Sequence, residues 1–268
     1  MHEAPIINLG GFNIDLSIVT MLIVTSLIVF ILARLAVRNL SVENPGKLQN
    51  FLEWAVEFVQ GIISSTMDLK KGKAFVSLGM TIIMFIFVGN LLGLPFGIVT
   101  EYSEPGHKVF GQEIVSVNAD AFAELHDKKP NEEHLEIGVA WWKSPTADAS
   151  VSMGLALIIF VIVHFLGMTK NTKAYFKSYF EPFPIFFPIK LIETFSNFLT
   201  HGMRLYGNIF AGEVLISVLL GLGVASIPAL MAWQAFSIFI GTIQAFVFTM
   251  LTMVYISHAI ENHAEEHH

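Results

Sequence analysis

Five long apolar stretches, at residues 16–37, 75–98, 148–168, 185–222 and 228–260, restrict this chain to the few architectures that lipid permits. A hydrocarbon core of roughly 30 Å offers no water to backbone N–H and C=O groups, so a crossing segment satisfies them internally as an α-helix of about 20 residues, or as part of a closed barrel. The stretches are continuous rather than alternating, which selects helices. With 54% hydrophobic and 14% charged residues, the expected fold is an all-α polytopic membrane protein, built as one membrane domain over residues 1–268. Cysteine is absent, so disulfides, thiolate metal sites and cysteine nucleophiles are excluded. The formal net charge of -7 disfavours nucleic acid as a partner.

The opening MHEAPIINLGG lacks a basic n-region, and no small-residue cleavage site follows, so residues 16–37 read as a retained membrane helix after a short outer N-terminus, 1–15. Residues 47–66 differ in kind. Leu48, Phe51, Leu52, Ala55, Phe58, Val59 and Ile62 recur at helical spacing, opposite Gln49, Glu53, Glu57 and Gln60. This predicts an amphipathic helix that lies on the membrane surface or packs on neighbouring protein. Lysines and arginines gather between Arg34 and Lys73 and again at Lys170, Lys173 and Lys177, whereas residues 99–147 are rich in Asp and Glu. The positive-inside bias then puts the N-terminus and the acidic loop 99–147 outside, and the tail 261–268 in the cytoplasm. The last two stretches, the first of which opens among Pro182, Pro184 and Pro188, are over-long. Roughly 32 helical residues reach about 48 Å, so a steeply tilted hairpin is expected.

One face of the fourth stretch carries Glu193, Asn197, Thr200, Arg204, Asn208, Ala211 and Leu215, three or four residues apart throughout. A charge near mid-bilayer costs about 2.5–3.5 kcal/mol on insertion scales, and a guanidinium does not relieve that cost by deprotonating. No acid lies three or four residues from Arg204, so compensation comes from elsewhere: a partner's carboxylate or water. Snorkelling is the bland alternative, and it belongs near helix ends. Glu193 lies roughly 16 Å before Arg204 and Glu213 roughly 13 Å after it, on different faces. Two water-filled entries that approach Arg204 without joining would suit a rotating carrier. Gln234, Ser237, Gly241 and Gln244 give the last stretch a polar, small face able to meet the first, or interhelical glue. Glu193 could equally be solvated at an interface, and His164 and His201 read as packed rather than titrating.

The run HGMRLYGNIFAGEVL at 201–215 and IGTIQAFVFTMLTMVYIS at 240–257 closely resemble subunit a of F-type ATP synthases. The likeness extends through FPIKLIETFSNFLT, KSPTADAS at 143–150 and GNLLGLPF at 89–96. WWKSPTADA and AFSIFIGTIQAFVFTMLTMVY are similar to the forms in Bacillus-type bacteria. The resemblance implies a proton-translocating, non-catalytic stator subunit in the bacterial plasma membrane, without a cofactor. Its implied partners are a ring of c subunits, peripheral-stalk b subunits, the rest of the synthase and the lipid bilayer. It also implies that Arg204 is the essential arginine and that Asn208, Glu213 and Gln244 line an outer half-channel. Glu193 matches the acid of a cytoplasmic half-channel, and Asp148 the acid of the P-S/T-A-D motif. Ser237 stands where some relatives carry histidine, which puts an acid–histidine relay between the last two helices in doubt.

Two other classes stay open on the residues alone. A secondary transporter could use Glu193, Arg204 and Glu213 for a substrate, although no inverted repeat is visible. The tail segment HAEEH, with His263, Glu266 and His267, satisfies an inverted zinc-protease pattern but has no evident third ligand.

Overall fold

The computed structural model describes residues 3–93, 98–128, 135–170, 172–180 and 183–261. It begins with an antiparallel hairpin of β1 (Ile6–Leu9) and β2 (Phe12–Asp15). Gly10 and Gly11 form its turn at φ +61° and +93°, values that an L side chain rarely tolerates. Asp15 ends the hairpin and caps α1 (Leu16–Ala36). Its carboxylate accepts from the Ser17 amide at 2.8 Å and the Ser17 hydroxyl at 2.6 Å. Its other oxygen meets Lys143 Nζ at 2.6 Å, which ties the first crossing to the segment preceding the third.

The amphipathic helix α2 (Lys47–Ser64) does two jobs at once. Ala55, Val59, Ile62 and Ile63 are buried, while Phe51, Trp54 and Phe58 form an exposed aromatic ribbon with Trp54 and Phe58 stacked at 5.7 Å. Gln49, expected on the solvated side, is buried instead. Its amide exchanges hydrogen bonds with the Ser41 backbone at 3.1 and 3.0 Å, so the burial is compensated. The short α3 (Leu69–Gly72) leads into α4 (Val76–Gly93). Helix α4 is described to Gly93, residues 94–97 of the expected crossing 75–98 lie outside the described residues, and Val99–Tyr102 follows as a strand, β3, paired with β6 (Ile137–Ala140).

Residues 99–147, read from sequence as an acidic loop, are largely folded. Besides β3 and β6 they contain the small hairpin β4 (Lys108–Val109) and β5 (Gln112–Glu113) and the helix α5 (Ala119–Lys128). Ile114, Val117, Ile137 and Val139 are buried together, with Phe122 and Leu125 packed against them. These apolar residues are scattered among the acids, so they form a core only once the chain folds back on itself. The N-terminal arm joins this cap: the Glu3 amide donates to Gly138 O at 2.8 Å, and the Ala140 amide donates to Glu3 O at 2.9 Å. The N-terminus and the cap therefore share one side of the bundle.

Beyond the cap comes α6 (Ala149–Lys170), then the short helix α7 (Thr172–Ser178) within the second group of lysines. The final pair, α8 (Phe187–Gly221) and α9 (Ile227–Glu261), has 35 residues in each member, about 52 Å at 1.5 Å per residue. Among the described residues, five helical segments are long and apolar enough to cross a membrane. Close approach depends on glycine. A Cβ at Gly202 of α8 would come 2.4 Å from Met153 Sδ on α6, and one at Gly79 of α4 would come 2.8 Å from Val59 Cγ1 on α2. At mid-bundle, Ile82, Ile86, Ile159, Leu205, Ala245 and Phe248 from α4, α6, α8 and α9 interlock as one buried cluster.

Candidate functional site

The polar stripe read from the sequence lies along an open side of α8. Glu193, Asn197, Thr200, Arg204, Asn208 and Ala211 are all exposed. Among the described residues Arg204 forms no salt bridge. A permanent cation on an uncovered face of a membrane helix marks an unfinished surface, one that calls for an external carboxylate or water.

From Arg204 toward α7 and the start of α8 is a cavity of about 230 Å³. Glu193, Asn197 and His201 of α8 line it, facing Tyr255 and His258 of α9 and His164 of α6. Glu193 pairs with Lys190 at 2.9 Å, and both are exposed. Tyr175 and Tyr179 close one wall, with their hydroxyls 3.0 Å apart and Tyr179 3.4 Å from His164 Nε2. Burial, then the hydrogen bond to Tyr179, pushes the Tyr175 phenol upward, so it stays protonated.

A second cavity, of about 120 Å³, opens beyond Arg204 toward the cap. Asn208 and Glu213 of α8 and Ser237 and Gln244 of α9 line it. Asn208 Nδ2 donates to Gln244 Oε1 at 3.3 Å, while the buried Gln244 Nε2 has no partner among the described residues. The sequence reading missed its remaining polar wall. Asn90, only 4% exposed, donates to Gly241 O at 3.0 Å and accepts from Thr146 Oγ1 at 2.6 Å; the Thr146 hydroxyl lies 2.8 Å from that of Ser144. A lone Asn inside the apolar run of α4 was the available signal, because lipid tolerates an amide only where a partner waits.

The two cavities do not meet. On α8 their nearest liners are His201 and Asn208, about 10 Å apart along the axis; on α9 they are Gln244 and Tyr255, about 16 Å apart. The mid-bundle cluster fills that interval, with Leu205 0% and Phe248 1% exposed. Arg204 lies at this level, outside the lining of either cavity.

Besides Arg204, two sequence-derived site residues line neither cavity. Asp148 caps α6, accepting from the Ser150 amide at 2.8 Å and from the Ser150 hydroxyl, and it lines neither cavity. Gln234 is half-buried on α9, also outside both linings. Ser237 lines the cavity that opens toward the cap, and among the described residues no titratable group of α9 lines it. Pro182, residues 94–96 of the GNLLGLPF run and the HAEEH segment lie outside the described residues.

A helical polytopic bundle with two cavities that each carry polar side chains, offset across a packed layer at the level of an uncovered arginine, has the form of an ion-translocating membrane subunit. The model of the ATP synthase A chain matches residues 18–257. Proteins named ATP synthase subunit a are similar over nearly the whole length: 46% identical in Anoxybacillus flavithermus and 43% in Bacillus velezensis, each covering 97% of this chain and 98% of the relative. The Staphylococcus carnosus protein is 42% identical, with 99% of both chains covered. The chain belongs to the ATP synthase A-chain family. Its role is that of a proton-translocating, non-catalytic subunit in the membrane sector of an F-type ATP synthase, which supersedes the independent-transporter reading.

Proposed function

We propose that the two cavities are aqueous half-channels serving a ring of c subunits that docks on the exposed stripe of α8, with Arg204 facing the ring's carboxyl groups. Protons enter past Glu213, Asn208, Ser237 and Gln244, neutralise one ring carboxylate, and leave another ring subunit through the cavity bearing Glu193. Gln234 borders the outer path on α9, and Asp148 contributes by fixing the start of α6. The sealed layer of Leu205 and Phe248 between the cavities carries this reading. A joined path would short-circuit the gradient, whereas an offset pair obliges the proton to ride the ring from one to the other.

Neutral carboxyls turn through lipid because burying the ion costs far more than protonating it. Beside Arg204 the opposite charge favours the carboxylate, so each arriving subunit ionises there and is released to exchange its proton. The fixed positive charge also repels a proton crossing directly from one cavity to the other. Each proton supplies about 2.3 kcal/mol per 100 mV to rotation. Two helices of about 52 Å fit a roughly 30 Å core only when steeply inclined, which suits a surface laid against a curved ring. The basic side of the bundle faces the cytoplasm and the cap faces outward, with the N-terminus outside and the C-terminus inside the bacterial plasma membrane. The α1 and α2 side, remote from the stripe, remains free for the b subunits of the peripheral stalk.

The test is Arg204→Ala in the assembled synthase. ATP-driven proton pumping in inverted vesicles is lost, while ATP hydrolysis by the soluble sector remains measurable. Pumping at the native rate with assembly intact would overturn the assignment.

A further inference from the structure

His201 is 3% exposed, lines the inner cavity, and stands one helical turn before Arg204. Its ring stacks on Phe248 of the sealing layer, with centroids 3.9 Å apart, so it sits at the closed end of that cavity. The hydrogen bonds around it fix which nitrogen is free. Thr252 Oγ1 lies 3.4 Å from His201 Nε2, but the Thr252 hydroxyl already donates to Phe248 O at 2.9 Å. Its oxygen is thereby left as an acceptor, so Nε2 carries the hydrogen and Nδ1 keeps a bare lone pair. That buried Nδ1 has no partner among the described residues.

An orphaned basic nitrogen on a side chain that lines a cavity is costly as mere packing, because burial without a hydrogen bond leaves the desolvation uncompensated, and a turn of the ring would bring it to cavity water. We propose that His201 is a proton-transfer residue of the inner half-channel, taking up at Nδ1 the proton released beside Arg204 and passing it to the cavity. The inference rests on the two-cavity reading above. In the step, a ring carboxyl loses its proton to water at the cavity's end, and a proton of that water forms the Nδ1–H bond. The resulting imidazolium returns the proton from Nδ1 to cavity water on the inner side. One proton enters, one leaves, and no electrons move.

The experiment uses membrane vesicles carrying the assembled complex stripped of its soluble sector, with proton conduction driven by a potassium diffusion potential. His201→Gln keeps a side chain that holds water but takes up no proton. It lowers conduction by about a hundredfold, the low end of the range for loss of a general acid–base group. His201→Ala is equally slow, and millimolar imidazole restores conduction by occupying the vacated space. Native conduction in His201→Gln would overturn the proposal, as would failure of imidazole to restore His201→Ala. Should His201→Gln not assemble, the alanine variant with and without imidazole decides alone. Arg204→Ala in complexes that retain the soluble sector, assayed in parallel for ATP-driven pumping, separates the two claims. If it abolishes pumping while His201→Gln conducts normally, only the histidine role falls; if it too pumps at the native rate, the two-cavity reading falls with it.

Discussion

Phe248→Ala attacks the wall between the cavities directly. The phenyl ring is 1% exposed, stacks on His201 at 3.9 Å, and packs with Leu205, Ala245, Ile82, Ile86 and Ile159. Its removal leaves a void on the order of 100 Å³ where neighbours do not collapse, at a stability cost of about 3–5 kcal/mol. At roughly 30 Å³ per water, the void holds about three molecules. They would stand at the level where about 10 Å of α8 separates the two linings, beside polar atoms of His201 and Thr252 that can hold them. The expected result is a proton leak: vesicles containing assembled Phe248→Ala complex dissipate an imposed pH gradient faster than native ones, without ATP turnover. Phe248→Leu, which refills most of the space, stays tight. Vesicles as tight as native with Phe248→Ala, with the variant shown to be assembled, would refute the claim that this layer is the seal.

Two further perturbations probe separate parts of the site. Glu213→Gln removes the outer cavity's titratable carboxyl and slows proton uptake without weakening assembly; unchanged ATP synthesis across a pH series would count against its channel assignment. Gly202→Leu pushes a side chain into Met153 of α6, where even a Cβ would lie 2.4 Å from its sulfur. Overpacking of this kind costs about 1–3 kcal/mol, and more where backbone shifts, so the purified complex loses the subunit at a lower temperature. A native melting profile would show that α6 and α8 can part cheaply.

The helices were legible because lipid imposes one rule on every residue of a crossing segment, and the stripe because a spacing of three or four residues is itself geometry. Glu193, Asn208, Glu213, Ser237 and Gln244 line the cavities by the same logic. What the sequence hid depends on chain reversal. Asn90, Thr146 and Ser144 belong to one hydrogen-bonded wall although more than fifty residues separate Asn90 from the other two, and nothing local pairs them. The cap was hidden likewise, since Ile114, Val117, Ile137 and Val139 have no regular period among their acidic neighbours. His201 looked like a packed histidine, and it is packed. Only the placement of Thr252, fifty-one residues away, reveals that one of its nitrogens is left over.

The absence of cysteine from the chain makes one measurement decisive. Single cysteines at Asn197, Leu205 and Ser237 sample the inner cavity, the seal and the outer cavity in turn. Membrane-impermeant thiol reagents are then applied to the assembled synthase from one side of the bilayer at a time. Two disjoint half-channels require position 197 to react only from the cytoplasmic side, position 237 only from the outside, and position 205 from neither. Labelling of position 205, or of either cavity position from both sides, would contradict the account.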